Sequence, residues 1–347
     1  MHQYFTDNSL ETSNFKQLLS APKKILITSH QNPDGDAFGS SLAMYLLLTK
    51  MGHHCTVISP TDHAAYIAWL PGVDKIINFQ NSLNQAEAIE LIEHADIHFL
   101  LDFSSAGRIA DMEEYVFKSS STKVMIDHHQ MPEQLAEYVF WDDQAAATCE
   151  LIFQFIEKLG LSSYVDKDIA TCLYTGILTD TGSFKFESTT KEIHRIAGEL
   201  LDYGINPNDI SRRLFDQNSI DRMRFLGYAL GEKLTYLPEY NVVYFKFSEE
   251  ELVKYNSRKG DTEGVVNYGL SVAGVVMSVI FIEREGKIKL SLRSVDDFSV
   301  AELSRDHFNG GGHKNAAGGI SSDTLENTVN KFLALLPLYK TKLLNLK

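Results

Sequence analysis

Four short apolar segments of this chain each end in acidic or histidine side chains, and this pattern limits the fold more than any other feature. The side chains at these ends are His30, Asp34 and Asp36; then Asp102; then Asp127, His128 and His129; and last Asp180. In a parallel sheet the carboxyl ends of the strands meet at one edge, where ligands bind. Histidine combined with several carboxylates is the ligand set of a hydrolytic two-metal site.

Strand-like and helix-like segments alternate up to about residue 190, which predicts an α/β domain with a parallel sheet and helices on both faces. A helical region follows, and strands at 242–247, 275–282 and 288–293 predict a smaller C-terminal α+β domain. The predicted divisions are a first domain at 1–190, a helical linker region at 191–235 and a second domain at 236–347. One predicted helix, 145–159, lies between the Asp-His-His run and the helix predicted at 168–179.

Composition is that of an ordinary globular protein, with 44% hydrophobic and 22% charged residues among 347. No apolar run reaches the roughly 18 residues of a membrane span, and the first seven residues lack the pattern of a signal peptide. The three cysteines, Cys55, Cys149 and Cys172, are widely spaced. An odd number of distant cysteines argues against a disulfide framework and favours a reducing cytoplasm.

The net charge of −14 disfavours a protein that coats long nucleic acid, including a long duplex, because such proteins carry basic surfaces. A short anionic substrate in a local basic pocket remains compatible with this charge. Part of the acidity is expected to be functional, since several of the clustered aspartates can face divalent cations.

Each acidic cluster taken alone has a second interpretation. Asp34 and Asp36 alternate along the backbone and can point at different ions, but an Asp-Gly turn that caps a helix has the same sequence. Asp102 fits an Asx-turn at a strand end, and Asp180 fits a polar residue at a helix end. His128 and His129 gain little as packing residues, so they favour a ligand site most strongly.

A glycine-rich segment near the C terminus, Gly310–Gly312 followed by His313, exposes backbone amides that a phosphate can approach. A glycine-rich turn between strand and helix is the alternative. Arg293 ends a predicted strand and fits either a phosphate ligand or a solvated charge. Arg108 lies a few residues past Asp102 and can reach the same site.

Five motifs in this order resemble the DHH phosphoesterase superfamily, and within it the NrnA-like oligoribonucleases and phosphoadenosine phosphate (pAp) phosphatases. The motifs are SHQNPDGDAFGS, LLD, MIDHHQ, LTDTGSF and, for the DHH-associated domain 1, GGGHKNAAG. The resemblance spans nearly the whole chain. It implies a DHH catalytic domain at 1–190 and a DHH-associated substrate-binding domain at 236–347.

The resemblance also implies roles for the clustered residues. One metal ion is expected on His30, Asp34 and Asp102, and a second on Asp36, Asp102, His128 and Asp180, so that Asp102 bridges the two. Asp127 is expected to orient a histidine, and His129 to face the scissile phosphate. A mixed histidine and carboxylate shell suits Mn²⁺ first, with Mg²⁺ or Co²⁺ as substitutes.

The activity implied is hydrolysis of short oligoribonucleotides to mononucleotides and of pAp to AMP and phosphate, in the cytoplasm and away from membranes. The residues expected to bind the substrate are Arg108, Arg293, Gly311, Gly312 and His313. A homodimer is compatible with the sequence, although no pattern argues for it.

Four rival functions use related sequences. Family II inorganic pyrophosphatases share the metal motifs but carry a different C-terminal domain. RecJ-type exonucleases are longer. A phosphodiesterase for cyclic di-AMP or its linear dinucleotide product is the third rival, and the membrane-bound members of that group carry transmembrane and sensor segments. The fourth rival is a non-catalytic RNA-binding protein, because the DHH-associated domain also occurs as an RNA-contacting appendage in alanyl-tRNA synthetases.

Overall fold

A computed structural model describes residues 9–258 and 260–345 of the chain. The prediction that the chain has no signal peptide rests on the first seven residues, which lie outside the described range. The described residues form two units, one up to Gln217 and one from Asn218. The helical region predicted at 191–235 is therefore divided between the two units.

The first unit is built on a six-stranded sheet in which all strands run parallel, which confirms the predicted α/β class. The strands lie in the order β3-β2-β1-β4-β5-β6. They are β1 (Lys24–Thr28), β2 (His54–Ser59), β3 (Ile77–Asn78), β4 (Ile97–Leu101), β5 (Thr122–Asp127) and β6 (Tyr138–Trp141). The strand order reverses between β1 and β4, so the loops after these two strands diverge and leave a crevice at the carboxyl edge.

Alternating side chains of the strands fill two separate cores, one on each face of this sheet. In β1, Ile25 and Ile27 pack into one core and Leu26 into the other. The helices of the unit are α1 (Ser9–Leu18), α2 (Gly35–Lys50), α3 (Gln85–Glu93), α4 (Glu113–Lys118), α5 (Thr148–Leu159), α6 (Lys167–Asp180), α7 (Lys191–Asp202) and α8 (Pro207–Phe215). Helices α2, α5 and α6 cover one face, and α3 and α4 cover the other.

Two glycines let α6 lie directly against α2 and α5. A Cβ atom at Gly39 would lie 2.5 Å from the carbonyl oxygen of Cys172. A Cβ atom at Gly176 would lie 2.3 Å from Cys149 Sγ and 2.6 Å from Asp36 Oδ1. Any larger residue at Gly176 therefore pushes α6 away from the base of the carboxyl-edge crevice.

The second unit is built on a mixed six-stranded sheet, as the α+β prediction requires. Its strand order is β11-β12-β10-β9-β8-β7, with β8 and β9 parallel and the other pairs antiparallel. The strands are β7 (Thr235–Leu237), β8 (Val242–Phe247), β9 (Met277–Arg284), β10 (Lys287–Ser294), β11 (Gly311–His313) and β12 (Ala316–Ser321). The glycine-rich segment, for which a turn was the alternative, is thus largely strand.

Helices cover this second sheet unequally. They are α9 (Ile220–Tyr228), a π-helical turn (Ala229–Lys233), α10 (Glu249–Lys254), α11 (Val265–Leu270), α12 (Val300–Phe308) and α13 (Leu325–Leu344). Helices α12 and α13 pack on one face, and α9 and α11 pack on β8 and β9 of the other face. No helix of the described segments is long and apolar enough to cross a membrane.

Buried His98 on β4 predicts an acid-sensitive contribution to the stability of the first unit. Its Nε2 lies 2.9 Å from Thr28 Oγ1, and burial, followed by the charge of Lys123, lowers the pKa of His98 to about 3. An unfolded histidine takes up a proton near pH 6.5. As the pH falls from about 6.5 toward 3, the unfolded state binds this proton first, and the free energy of unfolding falls by up to about 1.4 kcal/mol per pH unit.

The measurement is the free energy of unfolding against pH for the wild type and H98L. We expect a smaller acid-side slope in H98L, although its stability at neutral pH is lower because Thr28 loses its partner. Exposed His54 on β2 supplies the matched control H54L, which should follow the wild-type slope. Parallel slopes for H98L and the wild type would contradict the role of His98.

Candidate metal centre

The structure brings the eight predicted side chains of the first unit together at the carboxyl edge of its sheet. His30 and Asp34 lie in the loop after β1, and Asp36 lies at the start of α2. Asp102 lies just past β4, Asp127 ends β5, and His128 and His129 follow it. Asp180 is the last residue of α6. The loops after β1 and β4 flank the point where the strand order reverses. The fold therefore places them where open α/β sheets bind ligands.

His30, Asp34 and Asp102 form the first group. His30 Nε2 lies 3.4 Å from Asp102 Oδ2 and 3.9 Å from Asp34 Oδ2. The other ring nitrogen, Nδ1, donates to the carbonyl oxygen of Gln31 at 2.8 Å, since a carbonyl can only accept. In the neutral ring Nε2 then presents its lone pair to the two carboxylates.

His128 is the centre of the second group. Its Nε2 lies 3.4 Å from Asp180 Oδ2, 3.6 Å from Asp102 Oδ1 and 3.8 Å from Asp36 Oδ2. Its Nδ1 donates to the carbonyl oxygen of Ala145 at 3.1 Å. Both histidines therefore aim the same ring nitrogen at carboxylates.

Asp102 is shared between the two groups. Its Oδ2 faces His30 and its Oδ1 faces His128. The residue follows β4 with φ at 64°, a left-handed conformation that aspartate tolerates better than most residues. One carboxylate thus has an oxygen for each group.

The N terminus of α5 holds two of these carboxylates in place. The amides of Thr148 and Cys149 donate to the two oxygens of Asp36 at 2.6 and 2.9 Å. The hydroxyl of Thr148 donates to Asp102 Oδ1 at 2.9 Å. The helix begins at Thr148, three residues later than predicted, which puts its free amides rather than its interior beside the site.

Asp34 caps helix α2 and also faces His30, so it is compatible with both a helix cap and a metal ligand. One oxygen, Oδ1, accepts from the amides of Asp36 and Ala37 and caps α2, each at 3.1 Å. The other oxygen, Oδ2, faces His30. The helix cap therefore positions the residue without using the oxygen that faces the group.

The crowded carboxylates of the centre favour the binding of cations. Burial, and then the charge of Asp36, raise the pKa of Asp102 well above its usual value. Burial also favours the neutral form of Asp34, but His30 and the Ala37 amide outweigh it and lower the pKa of Asp34. The donor set of imidazole nitrogens and carboxylate oxygens fits divalent ions such as Mn²⁺. Two such ions would offset the charge of these crowded carboxylates.

Asp127 orients His129. Asp127 is fully buried, and its Oδ1 accepts from His129 Nδ1 at 2.8 Å. Burial opposes the charged imidazole, but this bond and the charge of Asp102 outweigh it and raise the pKa of His129. The indole of Trp141 donates to the backbone carbonyl of His129 at 2.6 Å. The bond to Asp127 consequently fixes the orientation of the His129 ring.

Arg108 lies beside the first group. Its carbonyl oxygen accepts from the Gln31 amide at 2.8 Å. Its positive charge contributes to lowering the pKa values of His30 and Asp34, and it opposes the rise in the pKa of His129. A guanidinium in this position attracts an anionic ligand to the carboxyl edge.

The substrate-binding candidates of the second unit lie together on its sheet. Ala316 of β12 pairs with Arg293 of β10 on one side and His313 of β11 on the other, so the three side chains form one row on one face. The neighbouring row on that face is Ser291, Gly318 and Gly311. The residues of these two rows belong to neither apolar core of the unit, and we name this half of the face the open face.

Gly312, on the opposite face of β11, meets a steric requirement. Its φ is 143°, and a Cβ atom there would lie 2.5 Å from the carbonyl oxygen of Ala316. Gly310 has a similar role, since a Cβ atom would lie 1.9 Å from the carbonyl oxygen of Gly318. These glycines hold β11 close to β12 and so keep His313 in the row with Arg293.

Comparisons with known proteins give the same division of the chain. The model of the "DHH family, N-terminal domain" matches residues 24–177, and the model of the "DHHA1 domain" matches residues 239–339. A crystal structure of an exopolyphosphatase-related protein from Bacteroides fragilis is 37% identical, with a TM-score of 0.92 over 98% of this chain and 99% of that chain.

Two curated relatives carry the same printed name, bifunctional oligoribonuclease and PAP phosphatase NrnA. The protein from Thermus thermophilus is 30% identical over 299 residues, which cover 85% of this chain and 83% of the relative. The protein from Bacillus subtilis is 23% identical over 295 residues, with 85% and 88% covered.

Thr148, which the sequence analysis did not identify, supplies a test of the centre. Replacement with valine keeps the shape of the side chain and removes the hydrogen bond to Asp102. We expect T148V to bind Mn²⁺ about 10- to 100-fold more weakly, because loss of a bond that orients a ligand has that effect in metal sites.

The measurement is calorimetric titration of the metal-stripped protein with Mn²⁺. T148S keeps the hydroxyl and is the matched control, with affinity close to that of the wild type. Equal Mn²⁺ affinities for T148V and T148S would show that the Thr148 hydroxyl does not support Asp102.

Proposed function

Since the chain belongs to the DHH family of phosphoesterases, we propose that it hydrolyses short oligoribonucleotides to mononucleotides and pAp to AMP and phosphate, with two divalent metal ions. The observation that carries this proposal is the position of Asp102 between two groups of histidine and carboxylate ligands. The printed names of the two NrnA relatives support the choice of substrates.

We assign one ion to His30, Asp34 and Asp102, and the other to Asp36, Asp102, His128 and Asp180. Mn²⁺ suits this mixture of imidazole and carboxylate donors, with Mg²⁺ or Co²⁺ as substitutes. When bound, such a pair of ions stabilises negative charge on phosphoryl oxygens and makes a water molecule more acidic.

His129 and Arg108 provide the remaining chemistry of the first unit. His129 is fixed by the hydrogen bond from its Nδ1 to Asp127, and in its charged form its Nε2–H donates a hydrogen bond to a phosphoryl oxygen. The Arg108 guanidinium neutralises a second phosphoryl charge. Asp127 acts through His129 and makes no contact with substrate in this scheme.

The open face of the second unit is the proposed binding surface for the part of the substrate that is not cleaved. Arg293 offers a forked donor for a phosphate, and His313 stands in the same row. Gly311 and Gly318 leave space for a backbone or base to approach the sheet. A surface with few basic groups on a chain of net charge −14 favours short anionic substrates over long ones.

A reducing compartment such as the cytoplasm suits this protein. Cys55, Cys149 and Cys172 are all free thiols, and Cys149 and Cys172 are buried. Burial raises the pKa of the Cys55 thiol to about 11, which keeps it in the unreactive protonated form.

The proposal is tested by supplying Mn²⁺ to the metal-stripped protein with each of five substrates. They are a short RNA, pAp, cyclic di-AMP, pyrophosphate and a short polyphosphate. Release of mononucleotides from the RNA supports the proposal. Selective turnover of cyclic di-AMP, pyrophosphate or polyphosphate would keep the metal centre and replace the substrate, and loss of all turnover would favour an RNA-binding protein.

Replacement of Asp102 with asparagine should abolish hydrolysis. The amide cannot supply a charged oxygen to each of the two groups, so we expect kcat to fall more than about 100-fold. The control is D143N, because Asp143 is an exposed aspartate in the loop after β6. An unchanged Mn²⁺-dependent rate in D102N would refute the ligand assignment.

Replacement of Arg293 with alanine should weaken substrate binding while the chemical step is retained. A charge-assisted hydrogen bond is worth about 1.5–3 kcal/mol, so we expect KM for a short RNA to rise roughly 10- to 100-fold with little change in kcat. Lys287 lies at the far end of the same strand face, and K287A is the matched control. A lower kcat with an unchanged KM would contradict binding on the open face.

A further inference from the structure

One peptide group joins His128 to a buried carboxylate that the proposed mechanism does not use. The carbonyl oxygen of Ala145 accepts from His128 Nδ1 at 3.1 Å. The amide of Ala146 donates to Glu150 Oε2 at 2.7 Å. This carbonyl and this amide belong to the same peptide bond, so the carboxylate and the imidazole are bonded to its two ends.

We propose that Glu150 is a positioning residue that acts through the Ala145–Ala146 peptide group to fix the orientation and tautomer of His128. The inference rests on the proposed function, because it treats His128 as a metal ligand. Glu150 does not touch the ion or the substrate. It positions the Ala145–Ala146 peptide group, which holds His128.

The physical effect follows from the polarity of the peptide group. A hydrogen-bond acceptor on the amide side draws the N–H proton toward it and increases the negative charge on the carbonyl oxygen. A stronger carbonyl acceptor holds the proton on His128 Nδ1 more firmly. The neutral ring then keeps its lone pair on Nε2, which faces Asp36, Asp102 and Asp180 at 3.4 to 3.8 Å. Hydrogen bonds of this kind raise the basicity of a metal-binding histidine.

Burial of the Glu150 carboxylate costs free energy, so stability does not explain a glutamate at this position. Its exposed fraction is 4%. Burial raises its pKa to about 7, and the charges of Glu192 and Asp142 add to this rise against the opposing Ala146 amide. A neutral side chain in this position would avoid the cost of burying a charge. The hydrogen bond to the Ala146 amide, rather than packing, therefore accounts for a carboxylate at this position.

Simple helix capping is the competing explanation. Glu150 is the third residue of α5, a position from which glutamate normally bonds the amide of the N-cap residue. The N-cap of α5 is Ala147, but Glu150 bonds the amide of Ala146, outside the helix. The bond is directed at the peptide group that holds His128.

His30 provides an internal comparison. Its Nδ1 donates to the carbonyl oxygen of Gln31, the next residue in the chain. His128 instead depends on a carbonyl 17 residues away, whose position the chain does not fix locally. The loss of Glu150 should consequently change His128 and leave His30 unchanged.

The test compares E150A and E150Q with the wild type by two measurements that need no substrate. Ring-nitrogen NMR of the metal-free protein, at a pH where the ring is neutral, reports the tautomers of His128 and His30, with the His128 signals assigned by H128Q. Calorimetric titration with Mn²⁺ reports metal affinity. N206A, which removes the side-chain cap of α8, is the control for a loss of helix capping alone.

We expect E150A to show mixed His128 tautomers, an unchanged His30 and about 10- to 100-fold weaker Mn²⁺ binding. E150Q keeps an acceptor for the Ala146 amide, so it should keep the tautomer and lose less affinity, while N206A should lose stability alone.

A single Nδ1–H tautomer of His128 in E150A, with or without a change in affinity, overturns the proposal. If E150A does not fold, an unchanged Mn²⁺ affinity in E150Q overturns it. These results are independent of the substrate experiments, so a failure here is distinguishable from failure of the proposed function.

Discussion

The capture of the Asp36 carboxylate by the N terminus of α5 is the interaction on which the rest of the centre depends. It joins two segments 112 residues apart in the chain, and both oxygens receive backbone amides. The partial positive charge of a helix N terminus stabilises this anion without a cation. The contact requires α5 and α6 to lie close to the start of α2, which Gly176 permits. Asp36 is thereby held against Asp102 despite their like charges.

In the proposed function, that arrangement couples metal binding to folding. Asp36 and Asp102 are buried, and the raised pKa of Asp102 reflects the cost of ionising a carboxylate in a buried site, to which the charge of Asp36 adds. A cation that binds the folded state relieves this cost, and its binding free energy then adds to stability. The Thr148 hydroxyl donates to Asp102 and the Ala145 carbonyl accepts from His128, and both bonds orient these side chains. The fold itself thus holds the centre in shape.

The sequence predicted the edge of the sheet well because the apolar runs before His30, Asp102 and Asp127 end where the strands end. It predicted the start of α5 poorly. The alanines at 145–147 favour helix, yet the backbone there is used to bind His128 and Glu150, so tertiary contacts override propensity. Strands β11 and β12 were missed because their glycines have low strand propensity and are required by close contact with neighbouring backbone. Thr148 carried no signal because its role depends on where the helix begins.

In the proposed function, selectivity among phosphoesters has to come from outside the proposed metal centre. That centre would recognise the phosphoryl group that all such substrates share, whereas the row of Arg293, Ala316 and His313 has a fixed spacing. Strands in a sheet lie about 4.8 Å apart, so the Arg293 and His313 strands are roughly 10 Å apart. The alternation of β10 fixes this row, because Leu292 is buried in the core and its neighbour Arg293 must face outward. A shift of one residue in the pairing would bury the arginine and expose the leucine. The apolar core of the second unit therefore enforces the position of its charged groups.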